Sequence, residues 1–245
     1  MLALQKKIKQ ILNASNLIDF VPKVDNHIHT NFTDGTLSVE QIVNEALSKE
    51  LESISITEHT SIGSRDWFSD LVDQVKSFSK ILDISIGTEV RINDFNGGIT
   101  IDPDVRRNSD IIVASVHRFP NNQGHKMSFL ESSKLDTPII ELKLMLGVIR
   151  NRSCHVVGHP FGMSLIRHKI MPATKLVDEL IGEAVDHGVA LEINSKYHQD
   201  FFFEYYVQRL VASDALVSIG SDVHYSGEIG TCFKKIRSLL DVKKT

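Results

Sequence analysis

The stretch VDNHIHTNFTDG, residues 24–35, joins the end of a short apolar run to three side chains that can bind a metal ion. His27 and His29 are two residues apart, and side chains at that spacing lie on the same face of an extended chain. Asp34 follows five residues after His29. The stretch therefore predicts a strand that ends in two convergent imidazoles, in either a metal site or an ordinary polar loop.

The composition is that of an ordinary globular protein. The chain has 245 residues, of which 42% are hydrophobic and 24% are charged, with a formal net charge of -4. That charge gives no overall basic surface for nucleic acid, and no apolar run approaches the ~20 residues that span a bilayer. Cys154 and Cys232 make no disulfide framework, which is typical of a reducing cytoplasm.

The first twenty residues contain lysines at positions 6, 7 and 9, which interrupt any long apolar core and make a poor signal peptide. We predict an amphipathic lead-in helix over residues 1–20. Repeats, low-complexity tracts and Pro/Gly/Ser-rich linkers are all absent from the sequence. We therefore expect one cytoplasmic domain over residues 1–245.

Short apolar runs alternate with helical patterns along the chain, and Ser38 with Gln41 three residues later predicts a capping box at one helix start. Such alternation implies parallel strands with right-handed crossovers. The result is an α/β fold with enough units for a (β/α)7 barrel, although an open doubly wound sheet would give the same pattern. The predicted strands are 23–26, 53–57, 84–87, 111–115, 155–157, 189–193 and 216–219, and the predicted helices are 38–49, 67–80, 138–150, 173–187, 201–212 and 230–240.

Almost every predicted strand ends in a residue that can bind a metal ion. In a barrel of parallel strands the C-terminal ends open onto one face, where active sites are built. Residues from most of the chain would therefore meet in one bowl-shaped site. In chain order they are His27 and His29, Glu58 and His59, Glu89, His117, His159, then Glu192 and His198 with Lys196 near one strand tip, and finally Asp222 and His224.

So many ligands exceed the three protein ligands of a single catalytic zinc, so we expect two or three divalent ions. Imidazole suits zinc, iron and manganese, while carboxylate oxygens suit harder ions and can bridge two of them. The other histidines are interpreted as hydrogen-bonding residues. These are His125, His155, His168 and His187, whereas His198 stays open because it follows a strand tip.

The motifs DNHIHTNFTDG, ITEH, GTEV, ASVH, GHP and GSDVH, taken in order, resemble those of the PHP family, named for polymerase and histidinol phosphatase. The resemblance runs from about Lys23 to Gly230. It implies a distorted (β/α)7 barrel and a metal-dependent phosphoesterase. It also implies the ligand set His27, His29, Asp34, His59, Glu89, His117, His159, Asp222 and His224.

The resemblance further implies how these ligands divide among the ions. One ion would be held by His27, His29, Glu89 and Asp222, and Glu89 would bridge to a second ion held by His117 and His159. Asp34, His59 and His224 would serve a third. A hydroxide bridging the ions would then attack phosphorus, because a bound ion lowers the pKa of its water toward ~7.

The TDG sequence at residues 33–35 is similar to the family branch that has SDG at this place, which includes the module attached to bacterial X-family DNA polymerases. Several histidinol phosphatases carry His where this chain has Asp34. An oxygen ligand there favours manganese or iron at the third site. A set of ligands that lacks no member predicts an active enzyme, here as a stand-alone module.

Phosphate-binding candidates are the cations near the strand ends. They are Arg118, Lys196, Arg91 and Arg167, with His198 as a further substrate-binding candidate. The loops 119–133 and 161–172 should carry substrate choice. The aromatic run FFFEYY at residues 201–206 is interpreted as core. The acidic balance favours a small phosphomonoester, such as a nucleotide or a compound like histidinol phosphate, over nucleic acid ends.

Two other functions stay open. Related metal barrels hydrolyse C–N or C–O bonds in the manner of amidohydrolases, although they commonly use a carbamylated lysine where Glu89 stands here. A non-catalytic metal-binding partner of a polymerase is the other alternative.

Overall fold

The structure is a computed structural model that describes residues 11–120, 127–133 and 136–241. Its centre is one curled sheet of eight strands, in the spatial order β1-β8-β7-β6-β5-β4-β3-β2. The strands are β1 Leu12–Asn13, β2 Val24–Ile28, β3 Ser53–His59, β4 Asp83–Arg91, β5 Ile111–Ser115, β6 Val156–Val157, β7 Ala190–Asn194 and β8 Leu216–Gly220. From β2 to β8 every neighbouring pair is parallel.

Helices connect the parallel strands. They are α1 Val39–Ser48, α2 Arg65–Phe78, α3 Pro103–Asn108, α4 Phe129–Ser132, α5 Thr137–Arg150, α6 Thr174–His187, α7 Asp200–Val211 and α8 Thr231–Asp241. A 3-10 helix covers Ala14–Ile18 and a π-helix covers Met163–Arg167. Helix α1 begins at the predicted capping box, in which Ser38 accepts from the Gln41 amide and the Gln41 side chain accepts from the Ser38 amide. Its buried positions 39, 42, 43 and 46 have the spacing of a helical stripe.

The sheet closes into a distorted barrel through a narrow contact. Ile28, at the end of β2, forms a parallel bridge with Val223, three residues after β8. The His29 amide donates to the Val223 carbonyl at 2.9 Å, and the Val223 amide donates to the His27 carbonyl at 3.1 Å. At the other end of β8, the short strand β1 pairs antiparallel with Leu216 and Val217. The barrel thus closes between the end of β2 and the segment after β8, beside the candidate ligands. At the start of β8 its neighbour is β1.

The sequence-based expectations hold for the seven parallel strands and the six longer connecting helices, and the barrel is found instead of an open sheet. Each of these elements begins and ends within a few residues of its predicted bounds. In the run FFFEYY, Phe202, Phe203 and Tyr206 are buried as predicted, whereas Phe201 is exposed.

The lead-in helix predicted for residues 1–20 is wrong over the part that the structure describes from residue 11 onward. Residues 12 and 13 are extended because they pair with β8, and the Asn13 side chain then accepts from the Ser15 amide to start the 3-10 helix. Residues 1–10 lie outside the described ranges, as does His125. Over the described chain, no helix combines the length and apolar character needed to cross a membrane.

Candidate metal centre

Glu89 lies at the centre of the cluster formed by the strand ends, near the end of β4. Its side chain is 1% exposed, and histidines from four other parts of the barrel approach its two oxygens. Oε1 lies 3.1 Å from His117 Nε2 and 3.0 Å from His159 Nε2. Oε2 lies 2.9 Å from His59 Nδ1 and 3.6 Å from His29 Nε2. A carboxylate with imidazoles facing both oxygens has the arrangement needed to bridge two cations.

The inner side of the cluster is built around His27, whose side chain is fully buried. Its Nε2 lies 3.6 Å from Glu89 Oε1 and 3.9 Å from Asp222 Oδ1. Its Nδ1 donates to Glu192 Oε1 at 2.7 Å. Because a carboxylate on Nδ1 fixes the orientation of the ring, Nε2 is the nitrogen that faces the cluster. Asp222 completes this side, with Oδ1 at 3.4 Å from His29 Nε2.

The outer side of the cluster is formed by Asp34, His59 and His224. Asp34 Oδ2 lies 3.5 Å from His59 Nε2 and 3.3 Å from His224 Nε2. The side chain of Asp34 is 54% exposed, so this position opens to solvent more than the others. The loop that carries Asp34 is held by Glu58, which accepts from the Thr30 amide at 2.8 Å and from the hydroxyls of Thr30 and Thr33.

The charges within the cluster favour cation binding near neutral pH. Burial acts to raise the pKa of Glu89, but the imidazoles of His117 and His27 outweigh it and hold that pKa well below its usual range. Burial also acts against ionised Asp222, yet His29 and His27 lower its pKa. Burial lowers the pKa of His29 to about 4. At pH 7 both carboxylates are therefore ionised and His29 is neutral, which are the states that bind metal, whereas the raised pKa of His27 means that a bound ion would have to displace a proton there.

Unpartnered ring nitrogens and strained backbone angles in the cluster also fit a metal site. Buried polar atoms are normally hydrogen-bonded, yet His27 Nε2 and both ring nitrogens of His29 are buried with no hydrogen-bond partner among the described residues. His159 and Asp222 have φ angles of 28° and 52°, in the left-handed region that non-glycine residues rarely adopt. Strain of this kind, of order 1–3 kcal/mol per residue, concentrates at binding and catalytic sites.

Within the described part of the chain, three sets of side chains have donor atoms within 4.8 Å of one another. These sets are His29, Asp34, His59 and His224; His27, His29 and Glu89; and His59, Glu89 and His117. The division differs from the expected one, because His29 also reaches the outer set and His117 groups with His59. Together with Asp222 and His159, which contact Glu89 or His29 directly, the structure brings all nine predicted ligands into one cluster.

A cavity of about 440 Å³ opens above the cluster and is lined by Asp34, His59, Glu89, His117, Asp222 and His224. Arg91, Arg118 and Lys196 line the same cavity. Lys196 Nζ lies 2.9 Å from His224 Nδ1 and 3.7 Å from Asp222 Oδ2, beside the ligands themselves.

Two predicted substrate-binding residues lie elsewhere. Arg167 is exposed in the π-helix, with its guanidinium 5.7 Å from the Phe129 ring centre. His198 is fully buried, where its Nδ1 accepts from the Asn194 amide at 3.2 Å and its Nε2 donates to the Pro160 carbonyl at 2.9 Å. Neither residue lines the cavity, because packing and hydrogen bonds hold both in other contacts.

Sequence reasoning missed the roles of Glu192, Asp25 and Tyr197. Asp25 is buried and accepts from the amides of Ser221 at 2.9 Å and Gly230 at 2.7 Å, so it fixes the segment that carries Asp222. Tyr197 stacks on His159 with ring centres 4.1 Å apart and lines the cavity. A carboxylate inside an apolar strand, as in VALEIN, was a usable signal for Glu192, whereas no pattern in the sequence marks Tyr197.

Comparison with known proteins agrees with this architecture. A family model described as "PHP domain" matches residues 25–196, more than half of the chain. A "Probable phosphatase" from Caldicellulosiruptor bescii is 26% identical over 220 residues, covering 86% of this chain and 83% of that protein. The "DNA polymerase/3'-5' exonuclease PolX" of Bacillus subtilis is 24% identical over 182 residues, which are 71% of this chain and 29% of that protein.

Among solved structures, one similar fold is a histidinol phosphate phosphatase from Lactococcus lactis subsp. lactis Il1403, complexed with zinc, L-histidinol and phosphate. The match has a TM-score of 0.68 at 20% sequence identity and covers 90% of this chain and 93% of that chain. The likeness therefore extends over nearly the whole barrel.

Proposed function

The chain belongs to the PHP family, and from that premise we propose that it is a metal-dependent phosphatase that hydrolyses a small phosphomonoester. The single observation that carries the proposal is the position of Glu89. Its two oxygens face imidazoles on both sides, at the floor of a cavity that three cationic side chains also line. Cations suit a phosphorylated ligand, and a bridging carboxylate suits a pair of divalent ions.

The proposed ligands are the nine residues of the cluster, and two or three ions of manganese, iron or zinc would be bound. Bound divalent ions would activate water near neutral pH and neutralise charge on phosphoryl oxygens. The residues of the chain supply the rest. Glu192 orients His27, Lys196 places a positive charge beside Asp222 and His224, and the arginines add positive charge higher in the cavity.

The size of the cavity and the net charge of -4 support a small substrate over a nucleic acid. The relatives named as phosphatases, and the solved neighbour that binds histidinol and phosphate, support the same class. The Asp34 carboxylate supports manganese or iron at the outer position, since oxygen ligands suit harder ions.

The test is phosphate release by purified protein loaded with manganese, zinc or iron. The panel contains nucleoside monophosphates, sugar phosphates, histidinol phosphate and short oligonucleotides, and metal content is measured by mass spectrometry. E89Q and D222N should lose activity by at least ~100-fold, because each removes a charged ligand. H187Q, at a helix end outside the cluster, is the matched control and should keep full activity.

Each other outcome contradicts the proposal in a defined way. Hydrolysis of amides or carboxyl esters without phosphate release would favour the amidohydrolase type of reaction. Tight metal binding without turnover of any compound would favour a non-catalytic metal-binding module. Wild-type activity in E89Q would show that the cluster is not needed for phosphate release.

A further inference from the structure

Arg91 and Arg118 form a pair of like charges on the wall of the cavity. Both side chains line it and come from neighbouring parts of the sheet, since Arg91 at the end of β4 pairs with Ser115 of β5 and Arg118 follows three residues after Ser115. Two cations that lie close together repel each other unless an anion compensates them. The question is which anion does so.

No protein group among the described residues plays this role. Neither guanidinium forms an ion pair or a hydrogen bond with any residue in the described part of the chain. Arg118 Nε is buried with no hydrogen-bond partner in the described ranges. This contrasts with the other partly buried cation of the cavity, Lys196, which donates to the Asp222 carbonyl at 3.1 Å. The arginine pair therefore has its donors available for a ligand.

The pair also lies apart from the metal cluster. Glu89 and Arg91 are two residues apart in β4 and so share a face, about 6.6 Å from each other along the strand. Arg91 is at the exposed end of that strand, whereas Glu89 is buried. Neither guanidinium forms an ion pair with the described carboxylates of Glu89, Asp34 or Asp222. The arginine pair therefore does not contact the carboxylates of the metal cluster.

A short hairpin adds polar groups to the same wall. Ile92 and Ile99 form an antiparallel bridge, and Asn93 Nδ2 donates to Thr100 Oγ1 at 2.7 Å. Asn93 and Thr100 both line the cavity. Because the Thr100 oxygen accepts from Asn93, its own hydroxyl hydrogen can donate to a ligand in the cavity.

We propose that Arg91 and Arg118, with Thr100, form a second anion subsite above the metal cluster, and that the substrate carries two separated anionic groups. One is the phosphoryl group hydrolysed at the cluster, and the other is a phosphate or carboxylate held by the arginine pair. The inference rests on the proposed phosphatase function for the first group only. Planar guanidinium groups suit such an anion because they bind two oxygens at once.

The first test is the number of inorganic phosphate ions bound, measured by equilibrium dialysis. Zinc-loaded wild type should bind two, zinc-loaded R91Q/R118Q should bind one, and chelator-treated wild type should bind one. R237Q, an arginine paired with Asp241 in α8, is the control and should bind two. Two phosphates in the zinc-loaded double variant would overturn the subsite, and so would one phosphate in zinc-loaded wild type together with none in chelator-treated wild type.

This design separates the subsite from the proposed function. If zinc adds no phosphate to R91Q/R118Q but chelator-treated wild type still binds one, the metal cluster fails as a phosphate site and the arginine subsite stands. If chelator-treated wild type binds none, the subsite fails whatever the metal-loaded protein does.

The second test identifies the source of the second anion through pairs of substrates. The pairs are fructose 6-phosphate with fructose 1,6-bisphosphate, glycerol 1-phosphate with 3-phosphoglycerate, and thymidine monophosphate with a 5'-phosphorylated dithymidylate. The informative pairs are those in which wild type prefers the doubly anionic member. For that member R91Q/R118Q should lower kcat/KM about 10- to 100-fold, mainly through KM, because charged hydrogen bonds to the second anion are lost. Its singly anionic partner should lose clearly less, because only the second anion binds the arginine pair directly, and equal losses for both members would contradict the proposal.

Discussion

Glu192 Oε1 lies 2.7 Å from His27 Nδ1, and both side chains are buried. Burial alone would lower the pKa of His27, but the carboxylates of Glu192 and Glu89 outweigh it and raise that pKa well above its usual value. Glu192 also accepts from the His159 amide at 2.5 Å, so one carboxylate outside the ligand set orients two candidate ligands.

We predict that E192Q weakens metal binding while retaining the shape of the side chain. Loss of an outer carboxylate typically costs 10- to 100-fold in metal affinity, because the imidazole is then less basic and less firmly oriented. Competition with a fluorescent zinc chelator measures the change. E183Q removes a carboxylate that pairs with Arg150 at the surface, and it should bind zinc as wild type does. Equal affinities in E192Q and E183Q would exclude His27 as a ligand.

We predict that D34N loses one equivalent of bound metal and keeps the others. Asp34 lies 3.5 Å and 3.3 Å from His59 and His224 and farther, at 3.9 Å, from the shared His29, so its loss should affect mainly the outer position. D34H should instead retain the ion and shift its preference from manganese toward zinc by about tenfold or more, since imidazole suits zinc. Mass spectrometry of dialysed protein gives both values, with D66N in α2 as the control. Loss of all metal from D34N would contradict separate positions.

We predict that G162A disturbs the contact between Tyr197 and His159. A Cβ at residue 162 would lie 2.6 Å from Tyr197 Cδ1 and 3.0 Å from His159 Nδ1, which forces a shift that costs about 1–3 kcal/mol. The midpoint temperature of thermal unfolding and the metal affinity should both fall. G182A is the matched control, because nothing lies within 4 Å of its new methyl group, and it should stabilise helix α6 by about 0.5–1 kcal/mol. The change in the free energy of unfolding should therefore be negative for G162A and positive for G182A.

We predict that His198 makes the metal-free protein sensitive to acid. Burial lowers the pKa of His198 to about 3. Between pH 6.5 and 3 the unfolded chain binds a proton at this residue and the folded chain does not, so stability is lost as the pH falls through that window. The full effect is roughly 4–5 kcal/mol at 1.36 kcal/mol per pKa unit.

Urea unfolding of chelator-treated protein between pH 7 and pH 4 measures this dependence. H198Q should be less stable than wild type at pH 7 by about 1–3 kcal/mol, because two buried hydrogen bonds are changed. Its free energy of unfolding should nevertheless fall less steeply toward pH 4. H187Q leaves both hydrogen bonds of His198 intact and should follow wild type, and parallel curves for H198Q and wild type would contradict the prediction.

The sequence was sufficient for the elements that follow from periodicity and for residues at strand ends. Parallel strands bring their ends together whatever the details of packing, so His117 and His159 could be assigned to one site without coordinates. Residues that act through a turn or a buried hydrogen bond were not predictable in this way. His198 follows a strand tip as a ligand would, yet its bond to the Asn194 amide four residues earlier turns it into the protein interior.

The sequence also does not show which of two similarly placed cations reaches the cavity. Arg91 and Arg167 look alike in sequence, as each follows a ligand-bearing strand. One lines the cavity, while the other rests against Phe129 because a π-helix intervenes. The strand β1 was also missed, since two residues are too short for any periodic signal.

The bridge between Ile28 and Val223 joins the first parallel strand to the segment that follows the last one, and that segment carries Asp222 and His224. Residues near the start and the end of the described chain therefore meet at the same few atoms. During synthesis, an ion cannot be fully enclosed until the segment after β8 has emerged and docked. Completion of the nine-residue cluster is then a late step in folding, because it requires the two ends of the barrel to have come together.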